Sequence, residues 1–352
     1  MTGGTFQTAT PSRPSVGVLV READLERDLD AVIRVFNASF NMEGSRERFR
    51  WLYCDNPDGR ATGWVVVEEG TGEIVGCTAV FPRRMRVVGR GTAIAWNCGD
   101  FAILKRYRTM GAALKLRRAA KDAIDAGQAP FLYAHPNDRM LAVHLRAGHS
   151  VLGRMVRYAR PLRLTTRSRM LNAVSAQVLR LWNPPRAPRS VDVEVVAASR
   201  LPADFDNVDA AAAAKLGTAI VRDRQYIEWR FGRNPLYASD ALIAREHGAA
   251  TGFLVFTIQG QVGLVKDWLA ATSAARDALF AALVRELRKR GASSASVIAL
   301  ESHPDLPALR AIGFVLRPEQ SSVVTYASPS NPLRAALLDP SRWYMTVGDR
   351  DI

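Results

Sequence analysis

Residues 97–113 read Asn97-Cys98-Gly99-Asp100-Phe101-Ala102-Ile103-Leu104-Lys105-Arg106-Tyr107-Arg108-Thr109-Met110-Gly111-Ala112-Ala113. The stretch predicts an apolar strand, a basic turn and then a helix to about residue 126, with apolar residues on one face and cations on the other. The first amides of a helix have no partner within it, and small residues let a ligand reach them. With the helix dipole and the cations of the turn, these amides predict a site for a phosphorylated cofactor.

The turn from Arg108 to Ala113 resembles the pyrophosphate loop of the GCN5-related N-acetyltransferase (GNAT) superfamily, Arg/Gln-x-x-Gly-x-Gly/Ala. In that family the preceding strand ends in Asp-x-x-Val-x-Pro-x-Tyr-Arg; Asp100 and Tyr107 fit this pattern, whereas Lys105 replaces the proline. The resemblance implies that acetyl-CoA binds here as co-substrate. The implied cofactor-binding residues are Ile103, Leu104, Arg106, Arg108, Thr109, Met110, Gly111, Ala112, Ala113 and Asn137.

The composition predicts a globular protein with a sizeable core, because 48% of the 352 residues are hydrophobic and 23% are charged. This length fits two domains. No apolar run is long enough to cross a membrane, and the first residues lack the pattern of a secretory signal. Cys54, Cys77 and Cys98 are too scattered for a disulfide framework or a zinc site. These features predict a cytoplasmic protein that needs no metal.

The order of predicted elements over residues 14–164 is strand, two helices, three strands, helix, strand, helix, strand, which is the order of the GNAT fold. We therefore predict an α/β (α+β) protein of two GNAT-like domains in tandem, each a mixed, mostly antiparallel sheet flanked by helices. The predicted divisions are a flexible tail at 1–13, a GNAT domain binding acetyl-CoA at 14–164, a basic helical linker at 165–190 and a degenerate second GNAT-like domain at 191–352.

An internal repeat supports the second domain. Trp51-x4-Asn56-Pro57 recurs as Trp229-x4-Asn234-Pro235. The second copy has no glycine and little positive charge before its corresponding helix, so we infer that the first copy binds the cofactor. The second would shape the substrate cleft or bury the sheet of the first. Further pairs in the same order are Asp100-Phe101 with Asp267-Trp268, and His135-Pro136 with His303-Pro304.

Amine attack on a thioester needs a base for the ammonium and an acid for the leaving thiolate. We predict Asp100 as the base and His135 as a second proton carrier, with roles as turn residues open for both. In the family the acid is commonly the tyrosine of Asn-x6-Tyr-x3-Gly-Phe. Counting from Asn137 places His144 at the tyrosine and His149 at the phenylalanine. The predicted catalytic residues are therefore Asp100, His135 and His144.

The C-terminus offers a further candidate by position. In some tandem relatives, including the Eis-type aminoglycoside acetyltransferases and the N-myristoyltransferases, the terminal carboxylate is the base. Asp349, Asp351 and the terminal carboxylate are candidate substrate contacts here, with a docked structural tail as the alternative.

The formal net charge of +14 is concentrated between Arg154 and Arg189, which contains nine arginines and no acid. The predicted helix within this segment either packs across the two domains or binds RNA or anionic membrane. Our first hypothesis is an N-acetyltransferase that moves an acetyl group from acetyl-CoA directly to a primary amine of a small molecule or amino sugar. The alternatives are an aminoacyl-tRNA-dependent transferase of the FemABX type and a non-catalytic acyl-CoA-binding protein.

Overall fold

The computed structural model describes residues 17–41, 44–108, 111–163, 174–175, 177–179 and 187–350. The predicted tail at 1–13 and most of the predicted linker at 165–190 therefore lie outside the described residues. Within the described part, no helix combines the length and apolar character that a membrane crossing requires.

The first half of the chain has the order of elements that the sequence predicts. Side-chain oxygens fix the starts of two helices by accepting hydrogen bonds from backbone amides. Ser45 accepts from the Arg48 amide (3.1 Å), and Asn137 accepts from the Met140 amide (3.0 Å). Its strands are β1 (Val18–Glu22), β2 (Thr62–Glu68), β3 (Ile74–Val87), β4 (Gly91–Ile103), β5 (Leu132–Ala134) and β6 (Ser150–Pro161). Its helices are α1 (Leu29–Phe40), α2 (Arg46–Tyr53), α3 (Ala112–Asp125) and α4 (Asp138–Arg146).

The second half repeats part of this order, since two strands, a long helix, a strand, a short helix and a last strand follow one another as β3, β4, α3, β5, α4 and β6 do. Its strands are β7 (Val191–Ala197), β8 (Ala219–Ile220), β9 (Asp240–Glu246), β10 (Ala249–Gln259), β11 (Val262–Ala270), β12 (Ser294–Leu300) and β13 (Val315–Tyr326). Its helices are α5 (Asp206–Ala212), α6 (Arg224–Ile227), α7 (Ser273–Lys289), α8 (Leu306–Ala311) and α9 (Arg334–Leu337).

Both halves contribute to one continuous sheet of order β1-β2-β3-β4-β5-β13-β6-β12-β11-β10-β9-β7, with β8 paired to β3. The last strand of each half is exchanged: β13 lies between β5 and β6, and β6 lies between β13 and β12. The pairs β4–β5 and β11–β12 are parallel and the other pairs are antiparallel. The predicted mixed, mostly antiparallel sheet is confirmed, but the sequence did not reveal the exchange.

The repeated tryptophans meet at the contact between the two halves. The rings of Trp51 and Trp229 stack with their centroids 5.1 Å apart. Each indole N–H donates to the backbone oxygen of the other tryptophan, at 2.9 and 3.1 Å. Both are buried in a core cluster with residues from both halves, so the repeat marks a packing contact.

Helices cover both faces of the first half of the sheet. Alternate residues of β2 enter two different core clusters: Val65 packs with α1 and α2, whereas Val66 packs with α3. Helices α1 and α2 thus cover one face of the sheet, and α3 covers the other. A site that touches helices on both faces must pass through the sheet, and the separation of β4 from β5 provides that passage.

The parallel pairing of β4 with β5 ends at Cys98 and Ala134, although β4 continues to Ile103. On its other side β4 carries a bulge, because Gly99 pairs with Ala79 while Ala102 pairs with Cys77. Asp100 lies in this bulge with a positive φ of 43°, an uncommon conformation for a residue with a side chain. The bulge and the end of pairing leave a gap between the two strands.

Candidate functional site

The gap between β4 and β5 opens into an inner cavity of about 490 Å3. It is lined from one face of the sheet by Phe36 and Arg48, and from the other by Arg117 and His144. Its volume is in the range of roughly 300–1,000 Å3 that is typical of ligand pockets. The inner cavity therefore reaches both faces of the sheet.

An outer cavity of about 430 Å3 lies beside the turn that precedes α3. Four predicted cofactor-binding residues line it: Ile103, Arg108, Ala113 and Asn137. The two cavities share four lining residues and thus form one cleft, which we call the donor–acceptor cleft. The shared residues are Phe40, Phe101, Asn137 and Met140.

The structure describes the turn before α3 at its two ends, Arg108 and Gly111. Gly111 has a positive φ of 72° and precedes the first helical residue, Ala112. The side chain of Arg108 donates from Nε to the backbone oxygen of Ile103 at 3.0 Å, which ties the turn to the end of β4. Thr109 and Met110 lie outside the described residues, so the predictions for them stay predictions.

Two predicted cofactor-binding residues make contacts other than those expected of a cofactor site. The Leu104 amide donates to the Val75 oxygen at 2.9 Å, so it is already paired within the sheet and cannot polarise a thioester. Arg106 is exposed, stacks on the Tyr107 ring at 4.6 Å and lines neither cavity of the cleft. It points toward the two carboxylates of Glu68 and Glu73, each 3.7 Å away.

Asp100 lies in the inner cavity but is already paired. Arg48 donates to both of its oxygens, at 2.7 and 2.6 Å, and both side chains are buried. Asp100 is the one carboxylate among the described residues that line the inner cavity. Each of its oxygens has a further lone pair, so the ion pair positions the carboxylate without using its full capacity to accept protons.

His135 also lines the inner cavity, directly after β5. Its two ring nitrogens are buried and have no hydrogen-bond partner among the described residues. Burial, and then the charge of Arg350, lower the pKa of His135 well below its usual value. The ring is therefore neutral at pH 7 in the unliganded protein.

His144 lines the inner cavity and is bonded to a second histidine. Its Nδ1 lies 2.8 Å from Nδ1 of His149, and both rings are buried. Burial and the charge of Arg117 lower the pKa of His144 far below its usual value and that of His149 to about 3. Two neutral rings share this bond, so one Nδ1 donates a proton and the other accepts it.

Arg117 contradicts the predicted separation of apolar and charged faces on α3. Only 3% of its surface is exposed, and it lies one turn from Ala113 and Ala120 on the helix face that packs on the sheet. Its neighbour Arg118 is exposed, as was predicted for the cations of this helix. The sequence did contain a signal for this placement. Residue 117 lies four positions after Ala113 and three before Ala120, and residues at these spacings share one face of a helix.

Arg48 is the second functional residue that sequence reasoning missed. It lies on α2, 52 positions from Asp100, and nothing near it in the sequence indicates the pairing. Its guanidinium also lies over the rings of Phe36 and Phe49, at 4.9 and 4.8 Å. The tertiary fold alone brings these groups together.

The described part of the second half contains Asp349, one of the candidate substrate contacts near the C-terminus. Asp349 is buried, bonds to Arg222 at 2.8 and 2.9 Å and lines neither cavity of the donor–acceptor cleft, which favours the docked structural tail over a substrate contact. Arg222 also pairs with Asp267, at 2.9 Å. Burial raises the pKa of Asp267 to about 6, because one guanidinium serves two buried carboxylates. Asp351 lies outside the described residues.

Metal ligands do not converge in the described part of the chain, where no three His, Cys, Asp or Glu side chains are placed to hold one ion. The prediction that no metal is needed stays a prediction.

Comparison with known proteins finds a family match within the first half of the chain. Residues 29–149 match the model of the acetyltransferase (GNAT) family. The whole fold is similar to a conserved protein from Enterococcus faecalis titled "Probable N-Acyltransferase", with a TM-score of 0.69 and 13% identity over 88% of this chain and 73% of that one. No curated protein matches the sequence significantly.

Two further structures have the same fold. A GCN5-related N-acetyltransferase from Anabaena variabilis has a TM-score of 0.66 and 14% identity, over 88% of this chain and 73% of that chain. One from Kribbella flavida has a TM-score of 0.62 and 17% identity, over 88% and 71%. Identities this low show the fold alone. The family model gives residues 29–149 as an acetyltransferase (GNAT) domain, which supports an acyltransferase; the second GNAT-like domain stays a prediction.

Proposed function

From this GNAT domain at residues 29–149 we propose that the protein is an N-acetyltransferase that uses acetyl-CoA. The acetyl group would pass to the primary amine of a small molecule or amino sugar, by direct attack while both substrates are bound. The donor–acceptor cleft carries the proposal: it joins the glycine turn before α3 to an inner cavity with a carboxylate and two neutral histidines.

The outer cavity suits the coenzyme. The first amides of α3 have no partner within the helix and suit a pyrophosphate, and Arg108 and Arg139 add positive charge at the cavity wall. Gly111 leaves open space beside this helix start. The pantetheine arm would pass from here along Ile103 toward the shared residues Phe101 and Met140. In this arrangement the thioester reaches the gap between β4 and β5.

The inner cavity suits the amine. A primary amine arrives mainly as its ammonium ion and must lose a proton before it attacks. Asp100 attracts the ammonium and takes this proton, directly or through water, while Arg48 holds the carboxylate in place. His135, whose ring nitrogens have no partner among the described residues, offers a second proton acceptor through its unprotonated nitrogen. The amine then forms the C–N bond, and the carbon–sulfur bond breaks with its electron pair leaving on sulfur.

The leaving thiolate would accept a hydrogen bond from His144, and its proton would come from the attacking nitrogen, which carries one proton too many once the C–N bond has formed. The Nε2 of His149 is buried without a partner among the described residues. An unpaired donor costs more than an unpaired acceptor there, which favours the tautomer of His149 with its proton on Nδ1. That proton is donated to Nδ1 of His144 across 2.8 Å, which leaves an N–H on Nε2 of His144. His149 is thus a positioning residue, because it orients the N–H that His144 offers to the sulfur.

The RNA-dependent alternative rests on the segment from Arg154 to Arg189. Residues 164–173 and 180–186 of that segment lie outside the described part of the chain, and this hypothesis stays a prediction.

Isothermal titration with acetyl-CoA tests the proposal. Ala113 lines the outer cavity, so Ala113→Glu places a carboxylate where the coenzyme phosphates are expected. Wild type should bind and Ala113→Glu should lose binding about 100-fold or more, because like charge and added volume oppose the ligand. Ala211→Glu, the same change at an exposed position of α5, should bind as wild type does.

Release of free thiol on addition of primary amines then reports turnover. Absence of acetyl-CoA binding to the wild type contradicts the proposal, and binding without thiol release for any amine would favour the non-catalytic alternative.

A further inference from the structure

Arg117 lies at the bottom of the gap between β4 and β5. It lines the inner cavity and is 97% buried, with 3% of its surface exposed. One guanidinium nitrogen contacts Sγ of Cys98, the last residue of β4 that pairs with β5. The guanidinium carbon lies 4.7 Å from the centre of the Phe101 ring. Its Nε is buried and has no partner, and no carboxylate lies within ion-pair distance among the described residues.

A buried cation without an anion is costly, because the low dielectric of the interior does not replace its hydration. The charges around the inner cavity do not balance. Arg48 and Arg117 bring two positive charges, whereas Asp100 brings one negative charge that is already bonded to Arg48. His135 and His144 are neutral there, because burial lowers the pKa of both rings. One positive charge is therefore left over, and it is on Arg117.

Other buried arginines show how the chain treats such charges away from the cleft. Arg222, which is fully buried, bonds to two carboxylates. Arg83 is also fully buried without an ion-pair partner in the described chain, but it lies over the Trp229 ring at 5.3 Å and lines neither cavity of the cleft. Among the described residues, Arg117 combines burial, no carboxylate within ion-pair distance and a place in the wall of the cleft.

We propose that Arg117 binds a carboxylate group of a substrate in the inner cavity. A guanidinium presents paired N–H donors that match the two oxygens of a carboxylate. A carboxylate has one negative charge and balances the one charge left over, whereas a phosphate would bring nearly two. The inference rests on the proposed acyl transfer and specifies its substrate class.

The carboxylate has two possible sources within that reaction. It belongs either to the acyl group, as in a dicarboxylic acid bound to CoA through one end, or to the acceptor, as in an amino acid. Both place a carboxylate near the bottom of the gap while the thioester carbonyl stays near the bulge of β4. The experiments separate the two sources by pairing each anionic substrate with a neutral substrate of similar size.

Arg117→Gln is the informative variant, and Arg118→Gln is its matched control on the exposed face of the same helix. For the donor, succinyl-CoA is compared with butyryl-CoA; for the acceptor, amino acids are compared with their amides. We expect the wild type to favour one anionic member by roughly 10- to 100-fold in kcat/KM, as hydrogen bonds to charged groups do. Arg117→Gln should abolish this preference, Arg117→Lys should keep part of it, and Arg118→Gln should leave it unchanged.

Free succinate and its diamide give a readout that needs neither CoA nor turnover. Succinate should raise the melting temperature of the wild type and of Arg118→Gln but not of Arg117→Gln, because a ligand that binds the folded state stabilises it. Without ligand, Arg117→Gln should melt no lower than the wild type, since the variant removes an unpaired buried charge. A clear loss of stability would assign Arg117 to the core rather than to a ligand.

The outcomes distinguish this inference from the proposed function. If the wild type binds and turns over neutral pairs as well as anionic ones, the carboxylate site is refuted and the acyltransferase stands. If no acyl-CoA binds but succinate stabilises the wild type through Arg117, the proposed function fails and the anion site remains. If Arg117→Gln keeps the full preference, Arg117 is not the recognising residue.

Discussion

The two gaps in the sheet differ although the same order of elements builds them. β4 pairs with β5, and β11 with β12, over three residues in each case before the strands part. The first gap opens into the donor–acceptor cleft. At the second, a C-terminal segment, residues 343–349, bonds to both strands: Thr346 bridges to Ala299 of β12, and the Tyr344 hydroxyl donates to the Trp268 oxygen at 2.6 Å.

The C-terminal segment ties the two halves together. The backbone oxygen of Asp349 accepts hydrogen bonds from Asn97 at 2.8 Å and from Tyr133 at 3.0 Å, both of which belong to the first half. A gap between parallel strands therefore serves as a site only where the chain leaves it open. Where the same chain fills the gap, the equivalent aspartate becomes part of a buried ion-pair cluster.

The largest expected effect comes from breaking that cluster. Arg222→Met leaves Asp267 and Asp349 buried without their guanidinium, so the free energy of unfolding should fall by about 3–5 kcal/mol. Urea unfolding followed by circular dichroism measures this loss. Arg290→Met is the control; it removes the surface pairs to Asp240 and Glu286 and should cost about 1 kcal/mol or less. Equal losses of unfolding free energy in the two variants would show that the buried cluster stabilises the protein no more than a surface ion pair does.

The histidines that follow β5 and β12 differ in the same way as the two gaps. His135 lines the open cleft, and neither of its ring nitrogens has a partner among the described residues. His303 is instead covered by the rings of Tyr344 and Trp268, at 4.3 and 4.6 Å. His135→Gln should lower kcat for acetyl transfer about 10- to 100-fold with little change in stability, at or below the usual range for a proton carrier. His303→Gln should lower stability and leave kcat unchanged. Thiol release and urea unfolding, measured on both variants, would refute the contrast if the effects were exchanged or equal.

The smallest effect concerns pH and belongs to the open half. The pKa of His149 is about 3 when folded, against an ordinary 6.5, so between these values the unfolded chain binds the extra proton and stability falls as the pH falls. Going from pH 7.5 to pH 5, the wild type should lose about 2 kcal/mol more than His149→Phe. Urea unfolding at both pH values measures the difference. Parallel losses in wild type and variant would contradict the buried, neutral state of His149.

Much of the fold could be predicted because local patterns specify it. The glycine turn before α3, the capping asparagine before α4 and the alternating apolar residues of the strands depend on neighbours a few positions away. The repeated tryptophans were also visible, and they meet in the structure. The exchange of β6 and β13 was not visible, because which strands pair depends on the packing of both halves at once.

The candidate site was only partly predictable. Asp100, His135 and His144 were found from their places in the pattern, and all three line the inner cavity. Arg48 was missed because its partner lies 52 positions away. Arg106 was included because it is a cation in the turn, but the structure directs it to carboxylates outside the cleft.

By itself the sequence determined the order of elements, the glycine turn that begins α3 and the kinds of side chain that follow β4 and β5, since these depend on backbone geometry and local spacing. Only the tertiary structure decided which gap is open, which carboxylate is paired and which arginine is left with an unbalanced charge. These outcomes depend on long-range packing, in which residues from opposite ends of the chain compete for the same partners and the same buried space.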